Sequence, residues 1–257
     1  MSNQYLAGSG GGDVDPASIT IGSEPTWLIN DGSETLWFDM AKHSIIFDDF
    51  IVEPSNSEIG WHGFSRQVGG GGSIEWSGTG ANPGIVKLDV NGNVTRSGIT
   101  TGESSFNLGA GRMRFSFICK LNQLSNGTDS YKAYIGLGDR NQTAAFNAIW
   151  FTYKHNENSG NWICDTNGFS GGPDINTSVA ADTDWHKYTI DIAANGLSVS
   201  FFIDDVEVTG SPLTLPVNTN DMGIALHVES DINSGSLGEI MQIDAVQTFI
   251  NLSSNRY

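Results

Sequence analysis

The chain has 257 residues, with 29 acidic and 12 basic side chains and a formal net charge of −17. Because a phosphate backbone or an anionic membrane surface would repel such a chain, neither nucleic acid nor a membrane is expected as a partner. The 32 glycines, 10% aromatic content and only 16% charged residues favour many short strands joined by tight turns. A chain of this length can form one large β-sandwich domain.

The N-terminal segment, residues 1–43, differs in composition from the rest of the chain. It begins with a glycine- and serine-rich stretch that is too polar to form a core of its own. Trp27 and Leu28 precede an Asn-Asp-Gly sequence and Trp37 and Phe38 follow it, which predicts a small β-hairpin. Because large aromatic residues need a surface to cover them, we predict that these four residues anchor the segment, either on the main domain or on another protein.

The remaining residues, 44–257, are predicted to form one sandwich. In the clearest stretch, 185–208, Tyr188, Ile190 and Ile192 alternate with polar residues, and this period of two indicates one buried face. The predicted strands in chain order are 44–52, 73–76, 85–90, 113–121, 130–137, 145–154, those of the 185–208 stretch, 224–228 and 240–252. No window has the 3.6-residue apolar period of a helix, so we predict an all-β, antiparallel two-sheet jelly-roll sandwich.

A family resemblance supports this fold. The sequence Trp-x-x-Tyr-x-Ile-x-Ile, then Asn-Gly, then Val-x-Phe-x-Ile-Asp-Asp in the 185–208 stretch resembles the late strands of concanavalin A-like and laminin-G-like sandwiches. Three earlier segments resemble parts of such domains in tailed-bacteriophage virion proteins: an Asp-Asp-Phe, a Gly-Trp and Asn82–Leu88. The resemblance covers residues 44–252, and it implies that the first and last strands pair, with 45–52 beside 241–252.

Enzymes of this fold that cleave carbohydrates place carboxylates at alternate positions of one strand, so that they face the cleft together. The nearest candidates, Glu239 and Asp244, are five residues apart and are therefore expected on opposite faces of a strand. The two adjacent aspartate pairs of the chain cannot share a face either. The five histidines are scattered without metal-ligand spacing. We therefore predict that the protein is not an enzyme.

Glycan binding requires aromatic side chains that offer a platform and polar groups that orient sugar hydroxyls. Tyr134, Trp150 and Trp162 could supply the platform, with Asn147 and Asp165 close to them in sequence. However, Tyr134 and Trp150 alternate with other apolar residues, so either face of their strands could be buried. Core packing is therefore the favoured interpretation of all three aromatic residues.

Calcium is the one cofactor that the sequence suggests. Loops that contain Asp139, Asp182 and Asp184 could supply oxygen ligands for a structural ion. No fixed ligand spacing is present, so turn-forming residues without an ion are the favoured interpretation. Cys119 and Cys164 are predicted to be free thiols, because two cysteines are too few for a disulfide framework.

These expectations and the resemblance combine into one hypothesis: a virion structural protein of a tailed phage, as head decoration, fibre or tail component. It would display the sandwich on the particle surface and dock through residues 1–43 to other virion proteins. The alternative is a glycan-binding module for host adsorption, which can coexist with the first role, and a polysaccharide-cleaving enzyme is the weakest alternative. Because the N-terminus lacks the pattern of a secretory signal, the expected location is the virion, after synthesis in the host cytoplasm. A homo-oligomer is compatible with the sequence.

Overall fold

The computed structural model describes residues 44–50, 59–60, 64–77, 84–92, 94–102, 105–138, 147–166, 173–215, 221–231 and 237–253, and only the backbone of 26–30, 35–39, 43, 58 and 236. Apart from one 3-10 turn at Asn158–Gly160, the regular elements in these ranges are strands. This confirms the predicted all-β class. No helix among the described residues is long and apolar enough to cross a membrane.

The strands of the described ranges are numbered in chain order. They are β1 (Thr26–Asn30), β2 (Thr35–Asp39), β3 (His43–Asp48), β4 (Glu58–Ile59), β5 (Phe64–Gly69), β6 (Ser73–Ser77), β7 (Ile85–Asn91), β8 (Arg96–Thr100), β9 (Phe106–Asn107), β10 (Gly111–Leu121), β11 (Tyr131–Gly138), β12 (Ala148–Tyr153), β13 (Asn161–Asp165), β14 (Asp174–Ala180), β15 (His186–Ile192), β16 (Ser198–Ile203), β17 (Val206–Glu207), β18 (Leu213–Thr214), β19 (Asp221–Ser230) and β20 (Ser236–Leu252).

Two antiparallel sheets form the sandwich. The first sheet has the order β17-β16-β15-β10-β20-β7-β6, with β18 beside β16 and β3 beside β20. The second has the order β14-β13-β12-β11-β19-β8-β5-β4, with β9 beside β19. β3 pairs with the last strand, β20, with Ile45 opposite Phe249, which confirms the first-to-last pairing for the part of β3 that is described.

The core lies between the two sheets and receives alternate residues from each strand. On β15 and β16 these are the apolar residues that the sequence pattern had assigned to the inner face, including Tyr188, Ile190 and Phe201, all buried in the main cluster. Phe151 of the second sheet meets Tyr188 and Phe201 of the first at ring-centroid distances of 5.2 Å. Such edge-to-face contacts between the layers fix the strands relative to one another.

The outer face of β15 is less exposed than the alternation suggests, because Thr189 and Asp191 are also buried. Two arginines of the neighbouring strand β10, Arg112 and Arg114, lie over Asp191 and donate hydrogen bonds to its carboxylate. The Thr189 hydroxyl pairs with that of Ser116, also on β10. Cross-strand polar contacts, which a single strand's pattern does not reveal, therefore cover this face.

Residues before β3 form a separate two-stranded sheet. β1 pairs with β2 in antiparallel register, with Trp27 opposite Phe38 and Leu28 opposite Trp37, in the stretch where the sequence predicts a hairpin. The side chains of these four anchor residues lie outside the described part, so their docking role stays a prediction, as does the domain boundary at residue 43. Both cysteines are buried and free, as expected.

The assignment of the core predicts that alanine substitutions at two adjacent residues of β16 lower the free energy of unfolding by different amounts. Phe201 is fully buried, whereas Ser200 lies on the outer face and is partly exposed. Phe201→Ala should lower the free energy of unfolding by about 3–5 kcal/mol because it leaves a cavity. Ser200→Ala should change it by less than about 0.5 kcal/mol. Urea denaturation of both variants measures this, and equal costs would show that the two faces of β16 are assigned the wrong way round.

Candidate ligand site

A second group of aromatic residues lies on the outer face of the second sheet, away from the main core. β11 runs between β12 and β19, with Tyr134 opposite Thr152 on one side and His227 on the other. Ile135 and Phe151 belong to the core, so their neighbours Tyr134 and Trp150 project to the opposite side. The sheet pairing thus brings residues from three distant stretches of sequence together.

Tyr134, Trp150 and His227, here called the ring cluster, are in mutual contact. Tyr134 stacks on His227 with a centroid distance of 4.4 Å and an interplanar angle of 19°. Trp150 packs on Tyr134 at 4.8 Å and against His227, nearly edge-on, at 5.6 Å. The three side chains are only 8%, 3% and 6% exposed, in the order Tyr134, Trp150, His227. The ring cluster is therefore a packed, rigid unit and not an open platform.

Two glycines allow this packing. Gly98 on β8 lies opposite His227, and a Cβ atom at Gly98 would lie 2.5 Å from the Cβ of His227. Gly136 on β11 lies opposite Trp150, and its Cβ would lie 2.7 Å from the Cα of Trp150. Since real Cβ atoms essentially never approach so closely, larger residues at either position would displace a member of the ring cluster.

Three buried polar atoms on this face have no hydrogen-bond partner within the described residues: Trp150 Nε1, Thr152 Oγ1 and His227 Nε2. A buried polar group without a partner costs about 1–3 kcal/mol, so such groups normally meet water or a ligand. All three atoms lie on the outer face of the second sheet, where Tyr134 and its neighbours are packed.

The ring cluster has an acidic border at β13 and β14. Asp165 lies directly opposite Trp150 on one side and Asp174 on the other, so two carboxyl groups share this face. Burial raises the pKa of Asp165 to about 6, and the charge of Asp174 contributes to the rise. The nearby indole of Trp150 offsets part of this rise in the pKa of Asp165, although its Nε1–H does not reach hydrogen-bond geometry with the carboxylate.

The electrostatics of the ring cluster favour uncharged ligands. Burial lowers the pKa of His227 to about 3, with a smaller contribution from Arg96, so this histidine is neutral near pH 7. Burial raises the pKa of Tyr134, and four surrounding carboxylates raise it further, namely Glu229, Glu157, Asp231 and Asp165. Glu157 and Asp231 form ion pairs with Lys132 and Lys154, so Asp165 and Asp174 are the carboxyl groups that disfavour an anionic ligand on this face.

The three residues of the predicted aromatic platform lie on different faces of the second sheet. Tyr134 and Trp150 do lie together, but almost wholly buried, and Trp162 is a core residue that packs on Tyr188 at 4.9 Å and Tyr153 at 5.7 Å. Trp162 therefore does not belong with the other two, in line with the core interpretation of this residue. Sequence analysis missed His227, because a lone histidine in an apolar strand carries no pairing information.

The carboxylates considered for catalysis have other contacts. Glu239 forms an ion pair with Lys87 at 2.9 Å and accepts a hydrogen bond from Asn122. Asp244 is the extra residue of a β-bulge, between the register pairs of Ile243 and Ala245. Sequence analysis tested carboxylates along single strands, and it therefore missed the pair Asp165 and Asp174, which lie on two neighbouring strands.

The predicted calcium ligands do not form an ion site in the described residues. Asp182 accepts hydrogen bonds from His186 Nε2 at 2.9 Å and from the backbone N–H of Asp184 at 2.7 Å. His186 Nδ1 lies 2.6 Å from Asp204, so carboxylates flank both of its ring nitrogens and raise its pKa against the effect of burial. Asp139 lies outside the described ranges, within which no group of three or more His, Cys, Asp or Glu side chains could hold a metal.

Comparisons with known proteins agree on the fold. No protein-family model matches the chain, and no curated protein has a significant sequence match. Among solved structures, a protein of unknown function from Shewanella oneidensis MR-1, SO2946, superposes with a TM-score of 0.56 at 10% identity, over 84% of this chain and 90% of the other. The carbohydrate recognition domain of Emp47p (TM-score 0.54, 11% identity) and peanut lectin (0.53, 9%) are each matched over 84% of this chain and 100% of the other.

These similarities show that the chain has a lectin-like, concanavalin A-like jelly-roll fold. The Emp47p domain and peanut lectin share this fold at identities of 11% and 9%, which show the fold alone.

The raised pKa of Asp165 predicts an unusual pH dependence of stability. The Asp165 carboxyl keeps its proton up to about pH 6 in the folded state but only up to about pH 4 in the unfolded state. Because the proton binds the folded state more tightly, the stability that this group contributes is lost as the pH rises through that window. Asp165→Asn should therefore stabilise the protein at pH 7 by about 1–2 kcal/mol, and this gain should vanish near pH 4.

Chemical denaturation at several pH values measures this effect. The exposed Asp184→Asn removes the same charge and serves as the control for the loss of one negative charge. A destabilised Asp165→Asn at pH 7 would contradict the assigned environment.

Proposed function

We propose that the protein is a non-enzymatic glycan-binding module whose site lies on the outer face of the second sheet, where the ring cluster meets Asp165 and Asp174. The observation that carries this proposal is the concentration of buried polar atoms without described partners on that face, at Trp150, Thr152 and His227. The lectin-like fold is compatible with the proposal but does not locate the site.

The roles of the side chains follow from their positions. The carboxyl oxygens of Asp165 and Asp174 accept hydrogen bonds from sugar hydroxyls. Since Tyr134 and Trp150 expose almost no ring surface, the ring cluster forms a rigid floor that holds the polar groups in place and is not itself a stacking surface. Pre-positioned polar groups reduce the entropy lost on binding.

The ligand class follows from the charges. Asp165 and Asp174 share the face of the proposed site and the chain carries a net charge of −17, so we propose a neutral oligosaccharide and not a sialylated or phosphorylated one. Calcium is not needed for this arrangement.

We further propose that the module is a surface component of a tailed-phage virion, docked through residues 1–43 to other virion proteins, with glycan binding serving host adsorption. Two features support this context: the sequence resemblance of residues 44–252 to domains of tailed-phage virion proteins, and a hairpin, β1–β2, that is hydrogen-bonded to no other described strand.

Glycan binding is tested with an array of neutral and sialylated oligosaccharides, followed by calorimetry on the best neutral ligand. Asp165→Asn should weaken its affinity at least about tenfold, since a hydrogen bond to a charged group contributes about 1.5–3 kcal/mol. Asp184→Asn, with the same loss of charge at an exposed loop position, should bind like the wild type. Unchanged affinity in Asp165→Asn, or preference for sialylated ligands, would contradict the proposed site.

The same ligands test the non-enzymatic part of the proposal. We expect no release of reducing ends after prolonged incubation. If products appear, and disappear in both Asp165→Asn and Asp174→Asn, the two carboxylates act as a catalytic pair and the protein is an enzyme.

The virion context predicts that the N-terminal segment is required for incorporation. Deleting residues 1–42 keeps β3 whole, so the sandwich should remain folded but no longer bind particles that lack the protein. Trp37→Ala alone should weaken incorporation. Sedimentation of particles with each variant, alongside melting curves, measures this, and full occupancy by the folded truncated protein would exclude the segment as the docking element.

A further inference from the structure

The hairpin formed by β1 and β2 is a two-stranded sheet with two open edges. Its register joins Thr26–Asn30 to Thr35–Asp39, and no other described strand pairs with either of its strands. Each edge therefore presents a row of backbone N–H and C=O groups that has no strand partner among the described residues. A two-stranded hairpin alone is at best marginally stable in water, whereas three or more strands can be independently stable. The hairpin would therefore gain stability from additional strands.

The sandwich protects its own edges in the ways that natural β-sheets commonly use. The terminal strand β6 has Glu75 at its centre, and the terminal strand β14 joins β13 through an irregular register. β4 and β17 have only two residues each, and β3 ends on the buried Asp48. Charge, irregular pairing and short length all discourage the addition of a further strand at these edges.

The edge of β1 lacks these protections. Its sequence, Thr-Trp-Leu-Ile-Asn, contains no charged residue, no proline and no glycine, and its pairing with β2 is regular. Thr, Trp and Ile are among the residue types enriched in strands. β2 differs because it ends on Asp39, and aspartate is depleted in strands. Of the two hairpin edges, β1 is therefore the better template for a further strand.

The sequence of β1 suits antiparallel pairing with an identical strand. A two-fold axis at the central residue places Leu28 opposite its own counterpart, Trp27 opposite Ile29 and Thr26 opposite Asn30. All five residues then pair, and no like charges face one another. Such a contact uses the same edge in both copies and closes on itself, whereas pairing of β1 with β2 of the next copy would leave further open edges. The strand order of the combined sheet is β2-β1-β1-β2.

We propose that two copies of this chain associate through their hairpins, with β1 of one copy pairing antiparallel to β1 of the other in a four-stranded sheet. The contact uses the backbone edge of residues 26–30. It leaves β2 as the outer strand on each side, available to another virion protein. This proposal concerns the N-terminal hairpin alone, so its failure would leave the proposed glycan site on the second sheet untouched.

Cysteine cross-linking of the whole chain tests the register. Residues directly opposite one another in an antiparallel pair have Cα atoms about 4.5–5.5 Å apart, a distance that a disulfide can bridge. Leu28→Cys should therefore form a covalent dimer under mild oxidation. Trp37 lies opposite Leu28 within the hairpin, so its two copies would be three strand spacings, about 14 Å, apart, and Trp37→Cys should not cross-link. Because the native Cys119 and Cys164 are buried, they should not compete.

Sedimentation equilibrium measures the association without cross-links, at physiological ionic strength, where repulsion between the acidic chains is screened beyond about 8 Å. The wild-type chain should form a dimer, and deletion of residues 1–42 should leave a folded monomer. Leu28→Lys and Leu28→Glu each place like charges opposite one another at the two-fold axis, so each should raise the dissociation constant of the dimer at least about fivefold. An equimolar mixture of the two variants should associate more tightly than either variant alone, because opposite charges then meet.

Each other result overturns the proposal. A wild-type chain that stays monomeric means that the hairpins do not pair, and a dimer that survives the deletion means that the sandwich supplies the interface. Cross-linking through Trp37→Cys instead of Leu28→Cys means that β2 is the pairing edge. Oligomers larger than the dimer mean that β1 pairs with β2 of another copy. A mixture of the Leu28→Lys and Leu28→Glu variants that associates no more tightly than either alone means that the two Leu28 positions do not lie opposite one another.

Discussion

The contact of Phe151 with Tyr188 and Phe201 between the two sheets determines which side chains of β12 face the core and which face outward. It holds β12 of the second sheet in one orientation against β15 and β16 of the first. Because side chains alternate along a strand, a buried Phe151 forces Trp150 and Thr152 outward. A slip of one residue would bury Trp150 and expose Phe151. The candidate ligand site is therefore a consequence of how the core is packed.

The fold was largely predictable because its signal is local. Alternation along 185–208 identified the inner residues of β15 and β16, and the absence of helical periodicity excluded helices. The burial of Asp191 was not predictable, because the arginines that cover it lie 77 and 79 residues away in sequence. Pairing between distant strands decides which polar residues are covered, and a single sequence carries little information about it.

The candidate site was predictable only in part for the same reason. Tyr134 and Trp150 were identified as aromatic candidates, but both faces of β11 and β12 are rich in apolar residues, so the pattern could not say which face was inside. Asp165 was identified as a polar neighbour of these aromatic residues, whereas His227 and Asp174 join the site through sheet pairing alone. Trp162 was grouped with the first two by residue type, although its alternation with Cys164 places it in the core.

The central claim, that a neutral oligosaccharide binds on the outer face of the second sheet, is tested most directly by the indole N–H signals of the tryptophans in nitrogen-15 spectra during a titration. Trp150→Phe identifies the signal of Trp150, whose Nε1 has no described partner, whereas Nε1 of Trp76 donates to the Phe50 carbonyl. The account predicts that the Trp150 signal shifts with saturation while those of Trp76 and the core residue Trp162 stay in place. A bound ligand that leaves Trp150 unchanged and shifts another indole would contradict it.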